Sequence, residues 1–77
     1  MAIVRHLEKQ VLEIESKQTE TTCTYSFVRQ DDGVYFQVDT YGSTGRKARG
    51  MKSQTIRFAP EAIQELKEIL NTHFPGV

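Results

Sequence analysis

Apolar and polar residues alternate in two neighbouring segments of the chain, and this alternation predicts two strands. Thr22 to Gln30 and Val34 to Tyr41 are both rich in β-branched and aromatic residues. Asp31-Asp32-Gly33 separates them, and Asp-Gly between two such runs is a strong hairpin signal. One face of the predicted hairpin carries the apolar set Cys23, Tyr25, Phe27, Val34, Phe36 and Val38.

The C-terminal part of the chain predicts a further strand followed by a helix. Ser53 to Phe58 alternates as a strand does. Pro60 suits the first position of a helix, Glu61 suits its first turn, and Pro75-Gly76 is expected to end it. Helical spacing forms one apolar stripe from Ile63, Leu66, Ile69 or Leu70, and Phe74.

The N-terminal part of the chain is patterned less clearly. In Lys9 to Gln18, Leu12 and Ile14 alternate with glutamates, which favours a strand. A helix is the alternative, because Leu7, Val11 and Ile14 also fit helical spacing. Residues 1–8 are read as a short strand, a helical turn or a frayed end.

The predicted order is therefore β-β-β-β-α, an α+β domain spanning residues 1–77. We expect a four-stranded antiparallel sheet with the C-terminal helix packed on one face, since its apolar stripe must be buried there. The other face should stay open. It is predicted to carry Thr24, Ser26, Val28, Tyr35, Gln37, Tyr41 and Arg57.

The length and composition are those of one small soluble domain. The chain has 77 residues, of which 38% are hydrophobic and 26% charged. A domain of this size buries a modest core, so a homodimer is one expected way of gaining stability. No apolar run approaches the length of a membrane span, and residues 1–10 lack the apolar core of a secretory signal. A cytoplasmic location is expected.

The charge is distributed unevenly, although the net charge is zero. Between Thr40 and Pro60 there are five basic residues and no acidic one, whereas acidic residues outnumber basic ones on both sides. Zero net charge argues against coating nucleic acid by bulk charge alone. The basic residues of the acid-free stretch are Arg46, Lys47, Arg49, Lys52 and Arg57.

The basic loop, which we define as residues 46–52, is a candidate anion site. Lysine and arginine on a glycine-containing loop suit phosphate binding. Tyr35 and Tyr41 on the neighbouring open face could stack unpaired bases. The sequence therefore predicts a module that binds nucleic acid, single-stranded DNA or RNA. The alternative is a protein-interaction domain in which the loop meets an acidic partner or is simply solvated.

Residue types that carry catalysis or bind metals form no recognisable group. Cys23, the single cysteine, is expected to be a buried, inert thiol. His6 and His73 lie far apart, and His73 suits the negative end of the helix dipole. Asp31 and Asp32 read as turn formers. Gly42 to Gly45 lacks the ending of a phosphate-binding P-loop. The prediction is a non-enzyme without a cofactor or metal.

Three segments resemble the positive-cofactor-four-type transcriptional coactivators over about residues 22–72. They are Tyr25 to Arg29, Val34 to Asp39, and Gln54 to Glu61, whose strand–Ala-Pro-Glu–helix junction leads into Gln64 to Glu68. The resemblance implies a curved four-stranded antiparallel sheet, dimerisation through the helices and binding of single-stranded DNA along the sheets. It implies contacts to the nucleic-acid backbone from Arg46, Lys47, Arg49 and Lys52, and sheet contacts from Arg57 and Tyr35.

Overall fold

The computed structural model describes residues 1–42 and 52–77 and has an α+β fold, as predicted. Four strands precede one C-terminal helix. They are β1 (Ala2–Val4), β2 (Cys23–Gln30), β3 (Gly33–Tyr41), β4 (Lys52–Phe58) and α1 (Pro60–His73). None of the helices among the described residues has the length and apolar character needed to cross a membrane.

The sheet is mixed, so the prediction of a purely antiparallel sheet is wrong. The strand order is β1-β4-β3-β2. β3 pairs antiparallel with both β2 and β4, whereas β1 pairs parallel with β4. The predicted hairpin is confirmed, with Gln30 opposite Gly33. The three-residue β1 was too short to give a periodic signal. Its pairing continues past the strand, since the Ala59 amide donates to the Val4 carbonyl at 2.9 Å.

The strand expected at Lys9 to Gln18 is absent, because residues 5–22 form neither helix nor strand. The topology explains this. β1 and β2 occupy opposite edges of the sheet, and the pairing directions make them parallel. The connecting segment must therefore cross the sheet and return along its length. Val11, Leu12 and Ile14 are exposed on this connection, so their alternation serves no sheet pairing.

Register confirms the predicted sharing of faces between strands. Phe36 lies opposite both Phe27 and Phe58, and Val38 lies opposite both Tyr25 and Ile56. Directly opposed residues project to the same side of a sheet. We call this side the apolar face, formed by Tyr25, Phe27, Val34, Phe36, Val38, Ile56 and Phe58. We call the other side the polar face, which includes Gln37, Asp39, Tyr41, Thr55 and Arg57.

Burial is the reverse of the predicted arrangement. Among the described residues, the buried hydrophobic ones are Tyr35, Ala59 and Ala62, and the buried polar ones are Gln37 and Asp39. The apolar face was expected to form the core. The helix makes its main contacts with β3 and β4, and the aromatic residues of β2 stay exposed.

A junction of charged and aromatic groups joins the N-terminal segment to the hairpin turn and the helix start. The Arg5 guanidinium lies 3.3 Å from carboxylate oxygens of both Asp32 and Glu61. It also lies 5.7 Å from the centre of the Tyr35 ring. Arg5 thus links three elements through one side chain.

A second link ties the N-terminal segment to the helix, and it predicts a pH effect. His6 Nδ1 lies 2.9 Å from Glu65 Oε2, and the Leu7 amide donates to Glu65 Oε1 at 2.8 Å. The Glu65 carboxylate raises the pKa of His6 above its ordinary value. Because the folded pKa is raised, the pair stabilises the fold below about pH 6.5, the ordinary histidine value. This contribution is lost as pH rises through the folded pKa.

NMR titration of the His6 ring protons checks this prediction. We expect Glu65→Gln to return the His6 pKa to its ordinary range. Glu68→Gln is the matched control, because Glu68 instead accepts from Gln64 at 3.1 Å. An unchanged His6 pKa in Glu65→Gln would show that this pair does not form in solution.

Candidate nucleic-acid interface

The predicted site residues divide into those that the structure describes and those that it does not. Arg46, Lys47 and Arg49 lie within residues 43–51, outside the described part of the chain. Lys52 and Arg57 lie on β4, and Tyr35 and Tyr41 lie on β3. The described residues of the predicted site therefore lie on β3 and β4.

Lys52 and Arg57 are both fixed by residues of the polar face. The Lys52 ammonium lies 3.3 Å from Asp39 Oδ2. Arg57 donates from Nε and Nη2 to Gln37 Oε1, at 2.9 and 2.6 Å. Arg57 faces Gln37 directly across the ladder, so strand register alone brings this pair together.

Asp39 is the centre of the polar network, which we define as Lys52, Asp39, Thr55, Gln37 and Arg57. The Thr55 hydroxyl donates to Asp39 Oδ1 at 2.6 Å, and Gln37 Nε2 donates to Oδ2 at 3.1 Å. These bonds, the threonine one first, together with Lys52 lower the pKa of Asp39. Asp39 is only 3% exposed. The groups that contact its carboxylate, from Gln37, Thr55 and Lys52, all carry hydrogen-bond donors, so the buried charge is satisfied. The network thus connects two cations to one buried anion, Lys52 directly and Arg57 through Gln37.

Tyr41 is the last residue of β3. It pairs with Lys52 across an irregularity in the ladder between Thr40 and Tyr41. Its hydroxyl lies 3.0 Å from Thr24 Oγ1. The ring is partly exposed. Tyr41 and Lys52 therefore mark the two ends of the strands that residues 43–51 connect.

Tyr35 does not lie on an open surface, contrary to the prediction. The residue is 3% exposed, and its hydroxyl donates to Asp32 at 2.8 Å. That bond raises the pKa of Tyr35 and lowers the pKa of Asp32. Arg5 lies over the ring. Tyr35 belongs to the junction, and in this conformation its ring has no face available for stacking on a base.

The remaining chemical candidates gain little from the structure. Cys23 is exposed at the start of β2, so the expectation of a buried thiol is wrong. β2 is an edge strand of the sheet that the described residues form. His73 lies in the last turn of α1, as predicted. The described ranges contain no group of three histidine, cysteine or acidic residues arranged to hold a metal ion.

Sequence reasoning missed the polar network, although a signal for it was present. Gln37 and Asp39 alternate with apolar residues on β3, as Thr55 and Arg57 do on β4. The register between β3 and β4 was needed to place one pair opposite the other. The connection between β3 and β4 is long, so the sequence alone did not fix that register.

Neither a protein-family model, nor a curated protein, nor a solved structure matches this chain.

Proposed function

We propose that this chain is a nucleic-acid-binding module for single strands and that it acts without a catalytic step. The observation that carries the proposal is the acid-free stretch from Thr40 to Pro60, which holds five of the ten basic residues. A concentration of cations with no interspersed acid attracts a phosphate backbone. Because acidic residues outnumber basic ones on both sides, this stretch is the principal positive region of the sequence.

The polar face supports the proposal through Lys52 and Arg57, the two basic site residues that the structure describes. Lys52 is about half exposed while paired with Asp39. An ammonium has three donors, so contact with Asp39 leaves donors for a phosphate. Arg57 directs Nε and Nη2 at Gln37, and a guanidinium carries five donors in all. Both cations are held in place before binding, which lowers the entropic cost of forming a complex.

Base stacking is assigned to Tyr41. The residue is partly exposed and pairs with Lys52, the last residue of the basic loop. Aromatic rings beside cations bind single strands with little sequence preference, since every base has a π-face. Tyr35 has no part in this proposal because it is buried in the junction.

Salt-dependent binding of a labelled single-stranded oligonucleotide tests the proposal. Affinity should fall linearly with salt on logarithmic axes, because bound phosphates release counterions. Changing Arg46, Lys47 and Arg49 together to alanine should reduce that slope by about 2, or roughly 0.7 per lost phosphate contact. Fluorescence anisotropy at several salt concentrations gives both slope and affinity.

The matched control removes the same charge elsewhere. Lys9, Lys17 and Lys67 lie outside the acid-free stretch, and changing all three to alanine gives the same net charge. This variant should keep the wild-type slope. Equal losses of affinity and slope in both triple variants would show that binding depends on the net charge of the chain and not on the acid-free stretch. Absence of saturable binding by the wild type at low salt would refute the proposal.

A protein-interaction domain with no nucleic-acid role is the second candidate. The exposure of Tyr25 and Phe27 and the zero net charge favour it. NMR shift mapping with added oligonucleotide separates the two candidates. Shifts at Tyr41, Lys52 and Arg57 support nucleic-acid binding, and an unchanged spectrum supports the second candidate.

A further inference from the structure

β2 is the longer of the two edge strands in the sheet that the described residues form. It runs for eight residues, whereas β1 at the opposite edge has three. Every residue of β2 pairs with β3 in one unbroken register. All of them are exposed except Val28, which is partly exposed. One side of β2 is therefore paired with β3, and within the described part of the chain no strand pairs with its other side.

The register shows which backbone groups of β2 point to this outer edge. The Tyr41 amide donates to the Thr22 carbonyl at 3.2 Å, one step beyond the pair of Cys23 and Thr40. Hydrogen-bonded and non-hydrogen-bonded pairs alternate along an antiparallel ladder. Even-numbered residues of β2 therefore bond to β3, and the amides and carbonyls of the odd-numbered ones point outward. The outward set is Cys23, Tyr25, Phe27 and Arg29.

β2 lacks the features by which proteins usually block an edge strand. Such strands are kept short or carry proline, lysine or a β-bulge. β2 contains neither proline nor lysine, and its ladder with β3 has no bulge. Its single charged residue, Arg29, lies next to its last residue. A long edge without these features is a template for a further strand.

We propose that the outer edge of β2 binds an extended segment of another protein as an added antiparallel strand. The outward amides and carbonyls supply the main-chain hydrogen bonds of this pairing. The side chains of the same residues set the partner's sequence, because directly opposed residues project to the same side of a sheet. Tyr25 and Phe27 are 67% and 70% exposed and select apolar residues, and Arg29 selects an acidic one. From its N-terminus, the partner segment therefore reads acidic, any, apolar, any, apolar.

The charge of β2 favours a different protein over a second copy of this chain. β2 contains no acidic residue, so two β2 strands paired with each other leave Arg29 without an opposite charge. The chain's own connection, residues 5–22, leads directly into β2 and yet forms no strand against it. Lys52 and Arg57 lie on β4, beyond β3. The inference therefore does not depend on the proposed nucleic-acid function.

Amide hydrogen exchange with a synthetic peptide tests the proposal. The probe is Glu-Thr-Val-Thr-Ile-Thr-Ser with capped ends, which places Glu opposite Arg29, Val opposite Phe27 and Ile opposite Tyr25. In the free protein, the amides of Tyr25 and Phe27 should exchange fast, whereas those of Thr24 and Ser26, which bond to β3, should exchange slowly. Saturating peptide should slow exchange at Tyr25 and Phe27 by roughly 10-fold or more.

Methylated probes separate main-chain pairing from side-chain contact. The Val and Ile amides of the probe face β2, so N-methylation of both removes two hydrogen bonds and should weaken binding about 30-fold. The matched control is N-methylation of the two threonines that precede Val and Ile, whose amides face away from β2. This control should keep most of the affinity. Calorimetry measures binding of each probe.

A charge exchange tests the predicted register. Arg29→Glu should weaken binding of the probe roughly 5-fold, and a probe with Lys in place of Glu should restore it. Absence of saturable binding at millimolar peptide overturns the proposal, as does binding that N-methylation of Val and Ile leaves unchanged. Slow exchange at Tyr25 and Phe27 in the free protein also overturns it, because the chain itself or a second copy then already occupies the edge.

Discussion

Replacing Gly33 with alanine is expected to destabilise the domain by about 2–4 kcal/mol. Gly33 has a φ of +135°, a region that residues with a Cβ rarely adopt. A Cβ at this position would lie 2.9 Å from Pro60 Cγ. The proline ring is closed onto its own backbone, so Cγ cannot rotate away. Both effects act in the folded state, and together they take a large share of the stability of a small domain.

Urea unfolding followed by circular dichroism measures this loss. Gly42→Ala is the matched control, because nothing lies within 4 Å of a Cβ there and its φ is not in the positive region. That variant should raise the free energy of unfolding by less than about 1 kcal/mol, because alanine reduces the conformational freedom of the unfolded chain. Equal effects at the two glycines would contradict the contact between the hairpin turn and the helix.

A double variant separates strain from contact. Pro60→Ala removes the Cγ that the new side chain meets. Gly33→Ala in that background should cost less than in the wild type, since only the backbone strain remains. A cost that does not fall would assign the whole effect to the φ of Gly33.

The hairpin and the helix were predictable because their signals are local. Asp31-Asp32-Gly33 predicts a turn between two β-rich runs, and Pro60 with Glu61 predicts a helix start. The observed β2, β3, β4 and α1 lie within a few residues of the predicted elements. The approach of Gly33 to Pro60 was not predictable, because it depends on how the turn meets the helix.

The first strand was misplaced because periodicity says nothing about pairing. Leu12 and Ile14 alternate with glutamates as strand residues do, yet their segment connects opposite edges of the sheet. Ala2–Val4 shows no alternation and still pairs with β4. Strand formation at a sheet edge depends on an available neighbour, which the pattern of one segment does not contain.

The exposure of the candidate site residues could not be predicted from the sequence either. Alternation correctly grouped Phe27 with Phe36 and Gln37 with Arg57. It did not predict which group a single chain buries, because that depends on how far the helix reaches over the sheet. The expected position of Tyr35 on an open face was wrong because Arg5, distant in sequence, lies over its ring.

The second prediction concerns Asp39, the buried carboxylate of the polar network. Asp39→Asn should lower the melting temperature at pH 7 by roughly 5 °C or more. An asparagine keeps the shape of the side chain but replaces one acceptor oxygen with a donor. Gln37 Nε2 and Lys52 then meet an amide in place of the anion that both now contact.

The pH dependence of this loss is the sharper test. The folded pKa of Asp39 is lowered, so its contribution is present above the ordinary aspartate value of about 3.9. It is lost as pH falls through the folded pKa, when the wild-type carboxyl becomes neutral. The difference in unfolding free energy between wild type and Asp39→Asn should therefore shrink below about pH 4. Urea unfolding at several pH values measures it.

Two further variants identify what the carboxylate contributes. Asp31→Asn makes the same charge change at an exposed turn residue and should leave the melting temperature nearly unchanged. Lys52→Met should cost less than Asp39→Asn, because Lys52 is half exposed and Asp39 retains its bonds from Thr55 and Gln37.

The order of these losses tests how the polar network is built. If Lys52→Met costs as much as Asp39→Asn, the ion pair dominates, and a phosphate that draws Lys52 away would destabilise the sheet. If Asp39→Asn costs more, as expected, the neutral donors hold the carboxylate on their own. A phosphate that shares the Lys52 ammonium with Asp39 then leaves Asp39 satisfied, which is the behaviour that the proposed nucleic-acid interface requires.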